Sequence, residues 1–353
     1  MKTSTVEYLE KRIAPATIFV TYLAPDGRDI SVINSTIIGN TAGGIGGGIF
    51  MKNGSLQLKG STLSGNTADS GGGIFIVVPD GKTSTITGTK ILNNTATVTR
   101  GGGIQFDGSG VATSTLNILK STIAGNTATT DGGGISASNG GKLNLSGDTI
   151  FANEAANSGG GVFTDGSASS AVILKVTAST FTENTAGRAG GIYTGGDGAV
   201  TIAKSKLIAN HATNNFGGGA YLRSLSLITI TSTLFSKNSA ADTGGGLCVI
   251  TSNTTLTGCT FTDNVTGNDG GGAFIFSTNL AITKTLIRGN IAGSDGGGLT
   301  ASTTTTTISK SIITGNIAGN NGGGINSLGG NTELDAATKL FGNIARVNPN
   351  KDF

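Results

Sequence analysis

An asparagine returns along this chain at Asn40, Asn66, Asn94, Asn126, Asn153, Asn184, Asn210, Asn238, Asn264, Asn290 and Asn316, and once more at Asn343. The steps between them are 26 to 32 residues. Five to seven residues after each of the first eleven comes a glycine triplet, shortened once to the pair at 190–191. A repeat of about 27 residues running from 31 to 346 is incompatible with several globular cores. Each unit buries its apolar face only by stacking on the next, so the chain reads as one solenoid.

Aligning the units on the asparagine shows which positions the stack constrains. Three residues before it stand Ile37, Leu63, Ile91, Phe181, Phe235 and their equivalents, all large and apolar. Five before it the residue is small and mostly hydroxyl-bearing, as in Ser35, Ser61, Thr89 and Ser121, with Asp148 and Cys259 as departures. The residue between is mixed and often polar, as in Thr36, Thr62 and Lys90. This alternation has the period of a β-strand and the β-branched residues strands favour. A second alternating run precedes it ("SLQLKG", "AVTIAK"), and a third follows the triplet, beginning at Ile49, Ile74 or Ile104. No segment has a helical period. Three short strands per unit predict an all-β fold: a single right-handed parallel β-helix of about 11–12 coils, rising about 4.8 Å per coil into a rod roughly 55 Å long. The expected domains are a leader or cap over 1–30, the repeat over 31–346 and a tail or truncation point over 347–353.

Such a stack explains its own composition. An inward asparagine at a bend bonds the copies above and below, and it tolerates the left-handed backbone of a sharp corner. Alanine two residues later, replaced only by Thr266, implies a buried spot with room for one methyl group. Glycine triplets supply backbone angles and close approaches barred to other residues. The longer units carry extra residues ("VVPDGKTS", "TDGSASSA") after the triplet strand, as surface loops.

The remaining composition excludes several classes. Glycine supplies 61 of 353 residues, but prolines number only four and no three-residue period exists, so the chain is not collagenous. A 36% hydrophobic and 12% charged composition is the reverse of a disordered chain. The net charge is +3, with Lys and Arg scattered, so no patch suits nucleic acid. Cys248 and Cys259 are too few for a disulfide framework or metal site and are expected as free structural thiols. No apolar run is long enough for a transmembrane helix. Residues 13–24 ("IAPATIFVTYLA") resemble a secretory apolar core, a reading that Glu7 and Glu10 oppose; a cap or first strand is the other reading.

The alternation of GGG-[IAVL] with [FIL]-x-x-N resembles the GGA[ILV] and FxxN repeats of chlamydial polymorphic outer membrane proteins. "FTEN" (181–184) and "FTDN" (261–264) match the second motif, and "GGAF" (271–274) is near the first. The resemblance covers about 90% of the chain. It implies a right-handed β-helical module, extracellular or at the bacterial outer-membrane surface, often concerned with adhesion. The pattern departs from that family in lacking a C-terminal β-barrel, which puts an autotransporter route in doubt. "YLEKRIAPA" (8–16) looks like the short leader element of large surface proteins from planctomycete- and verrucomicrobium-like bacteria.

Parallel β-helices also include pectate lyase-like and polygalacturonase-like enzymes, which resemble one another in clustering acids, or acids with Arg and Lys, on one face. Asp131, Asp269 and Asp295 each precede a triplet. Asp269 and Asp295 fall on adjacent coils and are the candidates for calcium or an acid pair; the plainer reading is a polar turn position, shared with Ser70, Arg100, Ser158, Thr243 and Asn321. His211 reads as an exposed turn residue. The second residue of the triplet strand is aromatic in six units: Phe50, Phe75, Phe163, Tyr193, Tyr221 and Phe274. Alternation points these outward as an interrupted sugar- or protein-binding stripe, unless loops or a bend cover them. Ice binding would need a regular outward T-x-T ladder, which the columns do not sustain. The expected function is therefore a non-catalytic, surface-displayed stalk or adhesin-like module for glycans or proteins, without a cofactor. The alternative is a carbohydrate-active lyase or hydrolase.

Overall fold

The computed structural model describes residues 20–23, 29–110, 113–167, 169–223 and 226–347. The segment "YLEKRIAPA" and the tail beyond 347 lie outside the described residues. The described chain winds into three parallel sheets of 22, 12 and 11 strands. The largest sheet takes two strands from each coil, the triplet strand and the one after it. In two coils these fuse into single strands, Ala273–Thr283 and Leu299–Ser309. The 12-stranded sheet holds the strands before the asparagines, such as Thr62–Ser64. The third sheet is built from pieces as short as Thr67–Ala68, too brief to show alternation, and it was invisible in the sequence for that reason. Register is kept coil after coil, as in Ile49↔Ile74 and Ile74↔Ile104. Val20–Leu23 pairs with Ile49–Lys52 in the same register, so the first coil begins before residue 31.

Inside runs one continuous column of apolar side chains, from Ile37 to Ile325, with rings such as Phe235 and Phe261 stacked face to face at 4.7 Å. The alanine column is buried from Ala68 onward.

Each coil turns three corners, and each corner is a single residue in the left-handed region. One stands before the hydroxyl column (Gly60, Lys120, Ala178), one before the asparagine (Gly65, Asn93, Glu183), and one is the first glycine of the triplet. The asparagines themselves are not left-handed; the residue before them takes that conformation in every unit. Their side chains instead receive the N–H that the corner turns inward. The Asn94 Oδ1 accepts the Asn66 N–H at 3.0 Å and the Asn66 Nδ2 at 2.9 Å. The Asn94 Nδ2 donates to the Asn126 Oδ1 and the Leu63 carbonyl. Two donors and two acceptor sites are thus all used. The hydroxyl column does the same at its corner: Thr89 N–H donates to the Ser121 Oγ, which in turn donates to the Leu119 carbonyl. Cys259 continues that column with its thiol toward the Ile230 carbonyl, and both cysteines are free and buried.

The triplet shows why three glycines are needed. Gly71 has φ +62°. A Cβ on Gly72 would collide with the Thr95 carbonyl of the next coil. One on Gly73 would lie 2.6 Å from the Gly103 carbonyl and 3.2 Å from the Asn94 amide. Glycine here serves close packing.

Candidate functional site

The aromatic column is covered, one of the two placements its alternation leaves open. Phe163, Tyr193 and Tyr221 are only 4%, 7% and 6% exposed, and Phe50, Phe75 and Phe274 are half-buried. The backbone turn before each triplet folds over this column, so closely that a Cβ on Gly46 would lie 2.8 Å from the Phe50 Cβ. Alternation correctly put these residues outside the main core, but a second layer covers them. Phe163, Ala189, Tyr193, Tyr221 and Cys248 form a small separate cluster, flanked by Phe216 and Phe274. The Phe163 and Tyr193 rings stack at 5.0 Å, and Tyr193 meets Tyr221 edge-on at 5.5 Å.

Charged groups gather around this cluster in a way the columns did not reveal. Two coils below Phe163 in the stack, Arg100 lays its guanidinium 4.8 Å from the ring centre of Phe163. Its Nε is 3.1 Å from the Asp131 Oδ2. Burial pushes the Asp131 carboxyl up; Arg100 and a hydrogen bond from Ser158 pull it down, and the charge of Asp165 adds a smaller upward push. The small Ser136 lies one coil above Gln105 in the aromatic column and one below Phe163, leaving room for this reach. On the far side, burial raises the Tyr193 and Tyr221 hydroxyls, Tyr221 to about 12, while Arg223 and Arg188 act on both in the opposite sense. Arg188 and Arg223 are exposed.

Two polar hollows flank the cluster. One of about 360 Å³ is lined by Asp131, Asn157, Ser158, Arg188, Asn214 and Asn215 among others. The other, about 310 Å³, includes Arg100, Asn139, Asp165, Ser167 and Ser170. A family model for the right handed beta helix region matches residues 22–174 and 160–343. The chain belongs to that family. No curated protein and no solved structure matches it.

Within this right-handed β-helix the other candidate residues have plain placements. Asp269 and Asp295 do stack, but the Asp269 Oδ1 accepts the Asp295 N–H at 2.9 Å, and the Asp295 Oδ1 accepts both the N–H and the Nδ2 of Asn321. Burial raises the Asp269 carboxyl; the Asp295 N–H bond pulls it down, and the charge of Asp295 adds a smaller upward push. Among the described residues no three His, Cys, Asp or Glu side chains gather as a metal site. His211 is exposed, its Nδ1 2.7 Å from the Ser239 Oγ of the next coil. Burial lifts the Cys248 thiol to about 12, which makes it unreactive. Among the described residues no helix is long and apolar enough to cross a membrane.

Arg188 and Arg223 escaped the sequence reading because each ends a short strand, Thr185–Arg188 and Ala220–Arg223, in register with Ser158 and Ile250, residues that share no chemistry with an arginine. Arg100 and Asp131 were legible in principle: they are opposite charges in one column on adjacent coils.

Proposed function

We propose that this β-helix is a non-catalytic binding module of a bacterial surface, a stalk that presents its flank to glycans or to proteins. The observation that carries this reading is how the carboxylates brought near one another are engaged. Asp131 is tied to Arg100, and Asp269 and Asp295 accept backbone N–H groups of neighbouring coils. A carboxylate committed to a fold-maintaining bond is a poor proton shuttle, whereas hollows lined by Asn, Ser and Arg suit hydroxyl-bearing ligands. The resemblance of the repeat motifs to those of chlamydial polymorphic outer membrane proteins supports surface display and outer-membrane association.

A second reading has one specific observation in its favour. The charge of Asp165 reaches Asp131 beside Arg100, and paired carboxyls with unequal surroundings are the equipment of glycoside cleavage. The test is a panel of polysaccharides, pectin included, assayed together for retention and for products. Binding without turnover is expected. New reducing ends or an unsaturated, ultraviolet-absorbing product would replace the first reading by the second.

A further inference from the structure

At one corner of the described surface Tyr193 and Tyr221, register partners on adjacent coils, meet Arg188 and Arg223. We infer that this corner is a receiving site for an oxyanion, a carboxylate or sulfate ester, carried on a hydroxyl-rich chain. The inference rests on the glycan-binding reading above and names its ligand class.

The argument starts from charge. Arg100 and Asp131 neutralise each other in an ion pair. Asp165 turns its Oδ1 back onto the Gly166 N–H at 3.0 Å. Among the described residues neither Arg188 nor Arg223 forms an ion pair with a carboxylate. Two exposed guanidinium groups thus stand beside two phenols: Arg223 is two residues beyond Tyr221 on the strand Ala220–Arg223, hence on its face, and Arg188 precedes Ala189 of the aromatic cluster. Every group in that set except Asp165 donates protons. Such donors, held on a rigid stacked scaffold, recognise an oxygen anion bidentately. Rigidity comes from below: Tyr193 is clamped between the Phe163 ring and Tyr221, so the hydroxyl positions are fixed before a ligand arrives.

The rest of the ligand follows from the flanks. Arg188 also lines the larger hollow beside Asn157, Asn214 and Asn215, whose amides both donate and accept. The smaller hollow offers Ser167 and Ser170. Neither is apolar enough for a lipid tail or a hydrophobic side chain. Neighbouring hydroxyl groups on a chain that runs across several coils match that lining.

The experiment titrates the whole chain by calorimetry with three probes: an oligo-uronate, a sulfated oligosaccharide and a neutral oligoglucoside, each at low and high salt. Binding of at least one charged probe, at least about tenfold tighter than the neutral one and weakened by salt, is expected. The two charged probes distinguish carboxylate from sulfate. R188Q combined with R223Q should weaken the charged probe by about ten- to a hundredfold and the neutral probe by far less, since the Asn and Ser of the hollows remain; Y193F should weaken the charged probe several-fold. Both arginines are exposed, so folding is retained, and far-ultraviolet circular dichroism checks it. Equal binding of charged and neutral probes, indifferent to R188Q/R223Q, overturns the oxyanion site and spares the glycan-binding reading. Absence of binding by every probe overturns both.

Discussion

Two corners of the same coil solve one backbone problem in opposite styles. At the asparagine corner all twelve units use the same side chain, and the inter-coil amide bonds stay between 2.8 and 3.0 Å from Asn40–Asn66 to Asn316–Asn343. At the triplet corner the residue before the left-handed one is Ile45, Ser70, Arg100, Asp131, Ser158, Arg188, Phe216, Thr243, Asp269, Asp295 or Asn321, and the partners change from coil to coil. The first corner is buried, so any departure leaves a polar group unpaired, and only an amide satisfies both donors and both acceptors. The second lies nearer solvent, where water makes good what a side chain omits. Variation is therefore permitted there, and there the arginines, acids and aromatics collect.

The largest expected effect tests the uniform corner against its own end. Asn184 is fully buried; it receives the N–H and Nδ2 of Asn153 and gives to Ile150 and Asn210. Asn184→Ala should lower stability by about 4 kcal/mol or more, since four buried bonds go and their partners stay behind. Asn343 is half-buried and makes three such bonds, to Asn316 and Ile313. Asn343→Ala should lower stability by about 1–2 kcal/mol, because solvent replaces part of what is lost. Denaturant titration of both variants decides; equal losses would show that burial of the ladder is not what gives it its strength.

Next in size is the one charged residue in the hydroxyl ladder. Asp148 is 2% exposed, accepts the N–H groups of Ser121 and Ser146, and has its carboxyl raised by burial to about 7 from an ordinary 3.8. A raised carboxyl means that the folded state holds its proton where the unfolded chain has already lost it. Its contribution is therefore most favourable below about pH 4 and declines as pH rises through 7, by an amount on the order of 4 kcal/mol at most. Asp148→Ser removes the titration and restores the column's usual hydroxyl. The stability of the variant relative to the parent should rise between about pH 4 and 7 and level off above. A gap between the two that is flat with pH would mean that the carboxylate stays charged in the fold.

What could be read from the sequence divides along the same line. The asparagine, hydroxyl and apolar columns were legible because burial forces one residue type at one spacing. The left-handed corner before each asparagine was not, because Gly65, Asn93, Ala152, Glu183 and Lys237 all adopt it and share no chemistry. The aromatic column was found, and a covering loop or bend was one of its two readings, but alternation could not choose between them: it reports which side of a strand a residue occupies and says nothing of a turn folded back over it, as at Tyr221. The corner of Tyr193, Tyr221, Arg188 and Arg223 needed contacts between coils, which a column-by-column reading keeps apart.

The smallest expected effect concerns the triplet corner itself. Gly217 and Ala189 occupy the same left-handed place, at φ +69° and +53°. Gly217→Ala would put a Cβ 2.7 Å from the Tyr221 Cβ and should lower stability by about 2 kcal/mol or more, from strain and overpacking together. Ala189→Gly runs the other way and should be almost neutral. It relieves about 1–2 kcal/mol of left-handed strain. Against that it loosens the unfolded chain by about 0.4–1 kcal/mol and removes a methyl group worth about 0.8 kcal/mol from the Phe163–Tyr193–Tyr221 cluster. These offset to within about 0.8 kcal/mol. A marked gain in the denaturation midpoint would mean that Ala189 packs against nothing useful. A marked loss would mean that the alanine is an anchor of the aromatic cluster, and that coil 185–212 has exchanged the repeat's glycine for a contact its neighbours do without.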